Sequence, residues 1–337
     1  MRITIIGAGA IGGTVGAYLT SGGHDVLLVD TVAEHVAAMN DCGLRISGIR
    51  GDRVFKVRAC SPAELNAPLG FVILAVKAQA TRAALGPLVP LLATDGFVVS
   101  MQNGICEEEI AELVSPERTL GCLVHYAADY QEPGHVQLAS EHEIYFGELD
   151  GRLTPRLRLV TETLSALMPA LPTDNIWGWK WTKMCFVSLY FAGALLDIPF
   201  YETVQRREFR PTFAAVVTEA VRVAHGLGHT RLERYHTFEP ALFADGYTPE
   251  AEAVLESIAK PNPKSLKVFT GMQRDLMVRK RKTEVDETVG MVVSKARALG
   301  LAVPLHEEIW RQIKQIEQGD RAMDWRNVEK LASVHAA

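Results

Sequence analysis

The stretch GAGAIGGTVGAY, residues 7–18, directly follows the apolar segment ITII at residues 3–6. Its glycines match the spacing G-x-G-x-x-G, and small residues continue to Thr20 in a pattern typical of a helix. The arginine at position 2 and the apolar residues after it could instead begin a secretory signal peptide. The next apolar segment, DVLLVD at 25–30, argues against that interpretation because it completes a strand–turn–helix–strand unit.

Each glycine of this unit has a separate physical role. The first permits the tight turn, the second lets the backbone approach a pyrophosphate, and the third lets the helix pack on the sheet. Phosphate then meets the helix N-terminus, and an acidic residue 18 positions after the third glycine is suited to bind a ribose. The unit predicts an α/β Rossmann-type N-terminal domain with a parallel-sheet core. Its predicted cofactor contacts are Gly7, Gly9, Ala10, Ile11, Gly12 and Asp30.

Length, composition and charge exclude several classes of protein. A chain of 337 residues exceeds what one hydrophobic core usually organises, and 48% hydrophobic with 22% charged residues is typical of a globular protein. A net charge of −5 predicts no nucleic-acid partner, even with the basic run RKRK at 279–282. The longest later apolar run, 184–196, is too short to cross a membrane, so we expect no membrane partner.

The cysteines indicate the redox environment. There are five, at positions 42, 60, 106, 122 and 185, without C-x-x-C spacing. An odd set of this kind argues against a disulfide framework or a zinc site, so we expect no metal. A reducing cytoplasm fits this pattern best.

Two further apolar strands have polar residues at their carboxyl ends. The segment 69–81 contains a predicted strand ending at Lys77, and 95–109 contains one ending at the sequence Gln-Asn-Gly with Asn103. Ligands bind at the carboxyl ends of strands in an open parallel sheet, so both residues are candidates to contact cofactor or substrate. Equally, Lys77 could be a solvated lysine and Asn103 could begin an Asn-Gly turn. Strand-like segments at 118–130 and 135–151 are expected to extend the sheet, and His125 is interpreted as a core histidine.

The second half of the chain has a helical pattern. Apolar residues recur at spacings of three and four after about residue 153, and Gly or Pro separates several of the segments. One of these predicted helices spans 264–280 and another 283–300. We therefore predict a dinucleotide-binding domain at 1–170 and an all-α C-terminal domain at 171–330.

Lys183 is the most distinctive chemical feature of the helical half. It lies in an apolar segment that also contains Trp177, Trp179 and Trp181. Burial disfavours a charged lysine and makes its proton easier to transfer, so Lys183 is a candidate acid. A lysine on an apolar helix can also extend its methylene stem to water, and the residues alone favour this second interpretation.

Five short motifs occur in order along the chain. They are G-x-G-x-x-G at 7–12, V-K-A at 76–78, Q-N-G at 102–104, W-x-K at 181–183 and T-E-x-D at 283–286. With these motifs the chain resembles ketopantoate reductases along nearly its whole length. That family joins a Rossmann domain to a helical domain, with the active site in the cleft between them, and reduces a 2-oxo acid with a nicotinamide cofactor. The resemblance implies that Lys183 and Glu284 are catalytic, that Lys77 and Asn103 line the nicotinamide and substrate side, and that the protein is a homodimer.

Several positions depart from the family pattern. The family's asparagines four and eight residues after the catalytic lysine are Val187 and Phe191 here, on what we predict to be one helix face. The family's serine before Met-x-x-Asp is Gly271, and one extra residue precedes Glu284. The predicted substrate contacts are Asn103, Val187, Phe191, Thr270 and Gly271.

The second strand ends in Val29-Asp30-Thr31, where the family usually has an arginine region suited to a 2′-phosphate. A carboxylate accepts hydrogen bonds from ribose hydroxyls and repels a 2′-phosphate. We therefore expect NADH to be preferred, with NADPH as the alternative cofactor.

These observations predict a nicotinamide-dependent reductase that converts a small-molecule 2-oxo acid to a 2-hydroxy acid. Lys183 would protonate the developing alkoxide, and Glu284 would orient Lys183 or the substrate. Apolar residues in place of two asparagines predict a substrate more apolar than ketopantoate. The alternatives are an authentic 2-dehydropantoate 2-reductase of pantothenate biosynthesis, an opine or imine reductase, and a catalytically weak nucleotide-binding regulatory protein.

Overall fold

The computed structural model describes residues 2–66, 68–261 and 268–336. Residues 264–267 of the helix predicted at 264–280 therefore lie outside the described part of the chain. The chain divides into two compact units, Met1–Ile176 and Trp177–Ala337.

The first unit alternates strands and helices. Its elements are β1 (Ile3–Ile6), α1 (Ala10–Ser21), β2 (Val26–Val29), α2 (Ala33–Cys42), β3 (Leu44–Gly48), β4 (Arg53–Phe55), β5 (Ala59–Cys60), β6 (Leu69–Leu74), α3 (Thr81–Leu85), β7 (Leu92–Ser100), α4 (Glu107–Val114), β8 (Thr119–Leu123), β9 (Ala127–Glu132), β10 (His135–Ser140), β11 (Ile144–Glu148), α5 (Pro155–Leu164) and β12 (Ala170–Pro172).

The main sheet confirms the Rossmann-type prediction. Its eight strands have the order β12-β11-β8-β7-β6-β1-β2-β5, and every neighbouring pair is parallel except β8 with β11. All four residues of β1 are buried, because apolar residues of α1 and α5 cover one face of the sheet and those of α3 and α4 cover the other. A sheet covered on both faces favours such continuous apolar strands over alternating ones.

The strands predicted after residue 118 do not all extend this sheet. β8 and β11 join it, whereas β9 and β10 form a separate four-stranded sheet of order β4-β3-β10-β9. In that sheet β10 pairs antiparallel with β9 through a turn at Gly134, which has a φ of +77°. Burial alternates over residues 135–138 of β10, which fits a sheet with one covered face, and this pattern does not identify which sheet a strand joins.

The second unit is helical. Its helices are α6 (Ile176–Gly193), α7 (Phe200–Gln205), α8 (Arg210–Gly226), α9 (Pro249–Ile258), α10 (Gly271–Met277), α11 (Val289–Ala298), α12 (Pro304–Gln318) and α13 (Trp325–His335). They enclose one apolar core, to which α6, α8 and α12 contribute buried residues. The helix predicted at 283–300 is shorter than expected, because residues 284–288 form bends and turns before α11 begins. The described residues include no helix with the length and apolar character needed to cross a membrane.

The boundary between the units differs from the predicted one. The predicted division at 170/171 falls inside β12, whose three residues pair parallel with β11 and so belong to the first unit. The division lies at the start of α6, at residues 176/177. Likewise, the predicted end at residue 330 falls inside α13, which continues to His335.

Gly12 provides a test of how tightly α1 packs on the sheet. A Cβ at this position would lie 1.9 Å from the carbonyl oxygen of Gly7, so Gly12→Ala must displace backbone. We expect the free energy of unfolding to fall by about 1–3 kcal/mol or more, as for other overpacked sites. Chemical denaturation measures this change. Gly86→Ala is the control, because nothing lies within 4 Å of its added Cβ, and an equal loss in both variants would contradict the prediction.

Candidate active site

The glycine-rich turn fits the roles predicted for its three glycines. Gly7 has a φ of +92°, and a Cβ there would lie 2.8 Å from Val76. Gly12 packs against the Gly7 carbonyl oxygen, as described above. Gly9 differs, because its φ of −66° suits any residue and its added Cβ would meet nothing within 4 Å. The open space at Gly9 is where a ligand can approach the backbone, as a pyrophosphate requires.

The N-terminus of α1 has the properties of a phosphate site. No side chain caps it, and its first turn contains no acidic residue. The N–H groups of a first helical turn attract anions, which an acidic side chain there would repel. The 12-residue helix and the space at Gly9 therefore fit the dinucleotide that the sequence predicts.

Asp30 is held at the end of β2, next to this turn. Its carboxylate accepts hydrogen bonds from the backbone N–H of Ala8 at 2.9 Å and of Val32 at 3.0 Å. The side chain is partly buried. Because a carboxylate has about four lone-pair sites, two backbone bonds orient it and leave acceptor capacity for ribose hydroxyls.

His35 supports the same turn, and sequence analysis did not identify it. It is 1% exposed on α2, and its Nε2 lies 2.9 Å from the carbonyl oxygen of Ala8. The N–H of Gly134 donates to its Nδ1 at 2.9 Å, so Nε2 must carry the proton and donate to Ala8. His35 thus connects the glycine-rich turn to the second sheet.

The strand ends bring Lys77 and Asn103 to the edge that carries the glycine-rich turn. In the register of the sheet, Ile6 pairs with Val29 and Leu74, and Leu74 pairs with Ser100. These four residues end β1, β2, β6 and β7, so the loops that follow them leave from one edge. Lys77 is partly buried and Asn103 is exposed. The edge therefore places both predicted residues beside the predicted cofactor contacts.

Gln102 connects these loops. It is 3% exposed, and its amide nitrogen donates to the Val76 carbonyl oxygen at 3.0 Å and to the Thr81 hydroxyl at 2.9 Å. The two bonds join the loop after β7 to the loop that contains Lys77. His125 in the same unit is 6% exposed and stacks on His142, with ring centroids 4.6 Å apart.

In the second unit, α6 has one partly exposed stripe. Between residues 183 and 193, only Lys183, Phe186, Val187 and Tyr190 are partly exposed, and the others are buried. Their spacing of three, one and three residues defines one helix face. Lys183 and Val187 share this face, as predicted.

Phe191 does not share it, so its prediction as a substrate contact is not supported. At about 100° per residue, the eighth residue after Lys183 lies about 80° away from it around the helix, whereas the seventh, Tyr190, lies about 20° away. Phe191 is accordingly 0% exposed in the apolar core of the unit. The spacing i, i+7 would have identified Tyr190 from sequence.

Buried polar contacts hold α6 on both sides of Lys183. Thr182 accepts a hydrogen bond from the N–H of Glu233 and donates one to its carbonyl oxygen, both at 2.8 Å. Ser188 lies 2.9 Å from Nε2 of His306, whose Nδ1 lies 2.7 Å from the Glu219 carboxylate. That carboxylate also accepts the N–H groups of Leu305 and His306 at 3.0 Å, at the start of α12. These contacts connect α6 to α8 and α12.

An aromatic group continues the α6 stripe. The ring centroid of Phe186 lies 4.6 Å from Tyr190, 5.4 Å from Tyr235 and 5.0 Å from Phe238. Tyr190 also meets the edge of Phe200 at 4.6 Å. Phe186, Tyr190, Phe200 and Tyr235 are all partly exposed. The residues beyond Lys183 on this stripe therefore offer an apolar, aromatic surface.

The presence of threonine at position 270 is explained by its role in capping a helix. It caps α10, because its hydroxyl accepts the N–H of Gln273 and contacts the Gln273 amide oxygen, both at 3.2 Å. This capping box explains the threonine without a substrate. Gly271, the first residue of α10, is partly buried and contributes no side chain.

Glu284 is partly buried on the turn before α11. Its carbonyl oxygen accepts a hydrogen bond from the Thr288 hydroxyl at 2.5 Å. One unit thus carries the predicted cofactor contacts at a strand edge, and the other carries Lys183 and Glu284.

Comparisons with known proteins agree with this arrangement. Residues 3–151 match the family described as ketopantoate reductase PanE/ApbA, and residues 175–317 match its C-terminal domain. The chain is 29% identical over 320 residues to a 2-dehydropantoate 2-reductase of Archaeoglobus fulgidus, covering 94% of this chain and 98% of the relative. It is 26% identical over 321 residues to the uncharacterized oxidoreductase YkpB of Bacillus subtilis, covering 94% and 99%.

Solved structures of similar proteins indicate the same family. A D-mandelate dehydrogenase with NADH and anilino(oxo)acetate has a TM-score of 0.82 at 25% identity, covering 96% of this chain and 100% of that one. A PanE/ApbA family ketopantoate reductase from Ralstonia eutropha JMP134 has a TM-score of 0.77 at 25% identity, with the same coverage. The chain therefore belongs to the ketopantoate reductase family of NAD(P)-dependent oxidoreductases, which interconvert 2-oxo and 2-hydroxy acids.

Proposed function

We propose that this protein is an NADH-preferring reductase of 2-oxo acids with aromatic or branched apolar side chains. The observation that carries the proposal is the partly exposed stripe of α6, on which Lys183 is followed by Phe186, Val187 and Tyr190. A cationic acid at one end of an apolar surface suits a substrate with a reactive carbonyl and an apolar side chain. The hydroxyl of ketopantoate would find no partner on Val187.

In this proposal the residues of the chain position and protonate the substrate. Lys183 stabilises the developing alkoxide and donates a proton to it from Nζ. Glu284 orients Lys183 or the substrate, and Asn103 and Lys77 line the nicotinamide and substrate side. The bound nicotinamide supplies the hydride for the carbonyl carbon. Gly7, Gly9, Gly12 and the first turn of α1 hold its pyrophosphate.

One solved relative supports the proposal of an apolar substrate. The D-mandelate dehydrogenase similar to this chain contains NADH together with anilino(oxo)acetate, which carries an aromatic ring. The curated relatives named 2-dehydropantoate 2-reductase favour the second candidate, in which the substrate is ketopantoate itself. The two candidates differ in the polarity of the side chain that must be bound.

The first prediction from this proposal concerns the choice between NADH and NADPH. We expect kcat/KM for NADH to exceed that for NADPH by about fivefold or more, because like charges about 4 Å apart repel by about 1 kcal/mol even in water. Asp30→Asn removes the negative charge and should narrow the difference in kcat/KM between NADH and NADPH. Asp25→Asn is the matched control, since it changes an exposed carboxylate just before β2, at the opposite end of the strand. A preference of the unmodified enzyme for NADPH would contradict the prediction.

The second prediction concerns the substrate. Steady-state kinetics should give a higher kcat/KM for phenyl- and isobutyl-substituted 2-oxo acids than for ketopantoate, since each buried methylene contributes about 0.8 kcal/mol. Val187→Asn should shift the ratio toward ketopantoate by restoring an amide. Val278→Asn, an exposed position, is the control. If ketopantoate is clearly the better substrate of the unmodified enzyme, the protein is a ketopantoate reductase with an unusual lining.

The third prediction concerns Lys183. We expect Lys183→Ala to reduce kcat by about 10²–10⁴-fold, the usual contribution of a general acid, with little change in the Kd for NADH. Lys330→Ala on the exposed surface of α13 should leave both unchanged. Turnover within a fewfold of the unmodified enzyme would show that Lys183 is not the acid. If Lys183→Ala instead loses NADH binding but keeps its specificity among 2-oxo acids, Lys183 has another role.

A further inference from the structure

The segment Thr283–Asp286 contains Glu284 and has no helix or strand of its own. Thr283 and Val285 are 5% and 0% exposed, whereas Glu284 is partly buried and Asp286 is exposed. A side chain outside a helix or strand keeps its position only when neighbouring groups hold the backbone. One extra residue precedes Glu284 relative to the family pattern, so the position of Glu284 depends on the groups that hold this segment.

One face of α12 contacts this segment. Residues at positions 310, 314 and 317 lie within about 60° of one another around the helix, because they are spaced by four and three residues. Buried residues on the neighbouring face of α12 fix the helix in the apolar core of the unit. The three contacting side chains, which we call the α12 clamp, are Trp310, Lys314 and Glu317. The buried residues are Leu305, Ile309 and Ile313.

Glu317 holds the residue before Glu284. The backbone N–H and the hydroxyl of Thr283 both donate to Oε1 of Glu317 at 2.7 Å. The Thr283 hydroxyl oxygen in turn accepts the N–H of Val285 at 3.2 Å. The Glu317 side chain is 3% exposed, so these charge-assisted bonds face little competition from water. Thr283 is therefore held directly by the Glu317 carboxylate, and Val285 is held indirectly through the Thr283 hydroxyl.

Trp310 and Lys314 hold the residue two positions after Glu284. The indole N–H of Trp310 donates to Oδ1 of Asp286 at 2.7 Å, and Nζ of Lys314 lies 2.7 Å from Oδ2. Lys314 also lies 3.3 Å from Oε2 of Glu317, which joins the two halves of the clamp. Burial alone would raise the pKa of Asp286, but the hydrogen bonds from Lys314 and Trp310 outweigh it and lower that pKa. Asp286 thus remains ionised at neutral pH.

We propose that Trp310, Lys314 and Glu317 are positioning residues for the reaction, which act by fixing the backbone on both sides of Glu284. The inference rests on the proposed function, since it takes Glu284 as the active-site carboxylate. Displacement of a catalytic group by about 1 Å can reduce turnover about 10²-fold. The clamp offsets the lack of regular structure around Glu284, so the placement of this carboxylate depends on α12.

The test compares Glu317→Ala, Glu317→Gln and Arg311→Ala in the full-length enzyme, with the best 2-oxo acid of the panel and NADH. We expect Glu317→Ala to reduce kcat/KM for the oxo acid about 10–100-fold, with the Kd for NADH unchanged. Glu317→Gln keeps an oxygen that accepts both Thr283 bonds and should recover most of that loss. Arg311→Ala changes an exposed side chain that pairs with Glu308 on the same helix and should change kcat/KM less than twofold.

A double-variant cycle separates positioning from general stability. In a Glu284→Ala background, adding Glu317→Ala should cause little further loss, because the group that the clamp positions is already missing. A further loss as large as in the unmodified background would overturn the proposal. The proposal would also be overturned if Glu317→Ala keeps activity within twofold of the unmodified enzyme while Glu284→Ala is impaired.

Two further cases are misfolding of Glu317→Ala and full activity of Glu284→Ala. If Glu317→Ala does not fold, Trp310→Phe removes only the indole N–H bond to Asp286 and should reduce kcat/KM severalfold without lowering the affinity for NADH. Unchanged kcat/KM in this variant would then overturn the proposal. If Glu284→Ala itself retains full activity, the role of Glu284 in the proposed function fails, and with it the clamp's role in the reaction.

Discussion

The close approach of α1 to the sheet is the constraint on which the first unit depends. Only a residue without a side chain fits at Gly12, because an added Cβ would lie 1.9 Å from the Gly7 carbonyl oxygen. This contact sets the direction of α1 and therefore the point at which its first N–H groups meet a phosphate. Asp30 and His35 then bind the backbone of Ala8, and the Tyr126 hydroxyl donates to the Ile11 carbonyl oxygen at 3.1 Å. The turn is thus held by side chains from three other segments.

Support of a loop by a buried polar side chain is a common feature of the two units. Lys77 and Glu284 both lie outside helices and strands, and in each case a buried side chain holds the adjacent backbone. Gln102 does this for the loop of Lys77, and Glu317 does it for the segment of Glu284. A polar side chain pays for its burial when its hydrogen bonds are satisfied, and it then orders the loop that it contacts. Functional side chains can therefore be placed precisely even when they lie on loops.

The α6 helix combines an apolar interior with a reactive surface. Most of its residues are buried in the core, which leaves a narrow stripe for Lys183 and the aromatic residues beyond it. Thr182 and Ser188 form buried hydrogen bonds on either side of Lys183. Movement of the stripe would therefore break satisfied buried bonds, which costs about 1–3 kcal/mol for each unpaired group.

The sequence by itself determined the Rossmann-type unit, the helical second unit and the positions of the motifs. Glycine spacing and apolar strands are local consequences of backbone geometry, so a short segment contains the information. Only the tertiary structure decided that β9 and β10 join a second sheet and that Thr270 caps a helix. Glu317, Gln102 and His35 were not identified either, because each acts on residues 21 to 34 positions away in sequence or further. Such contacts depend on how elements pack, and no local pattern encodes that packing.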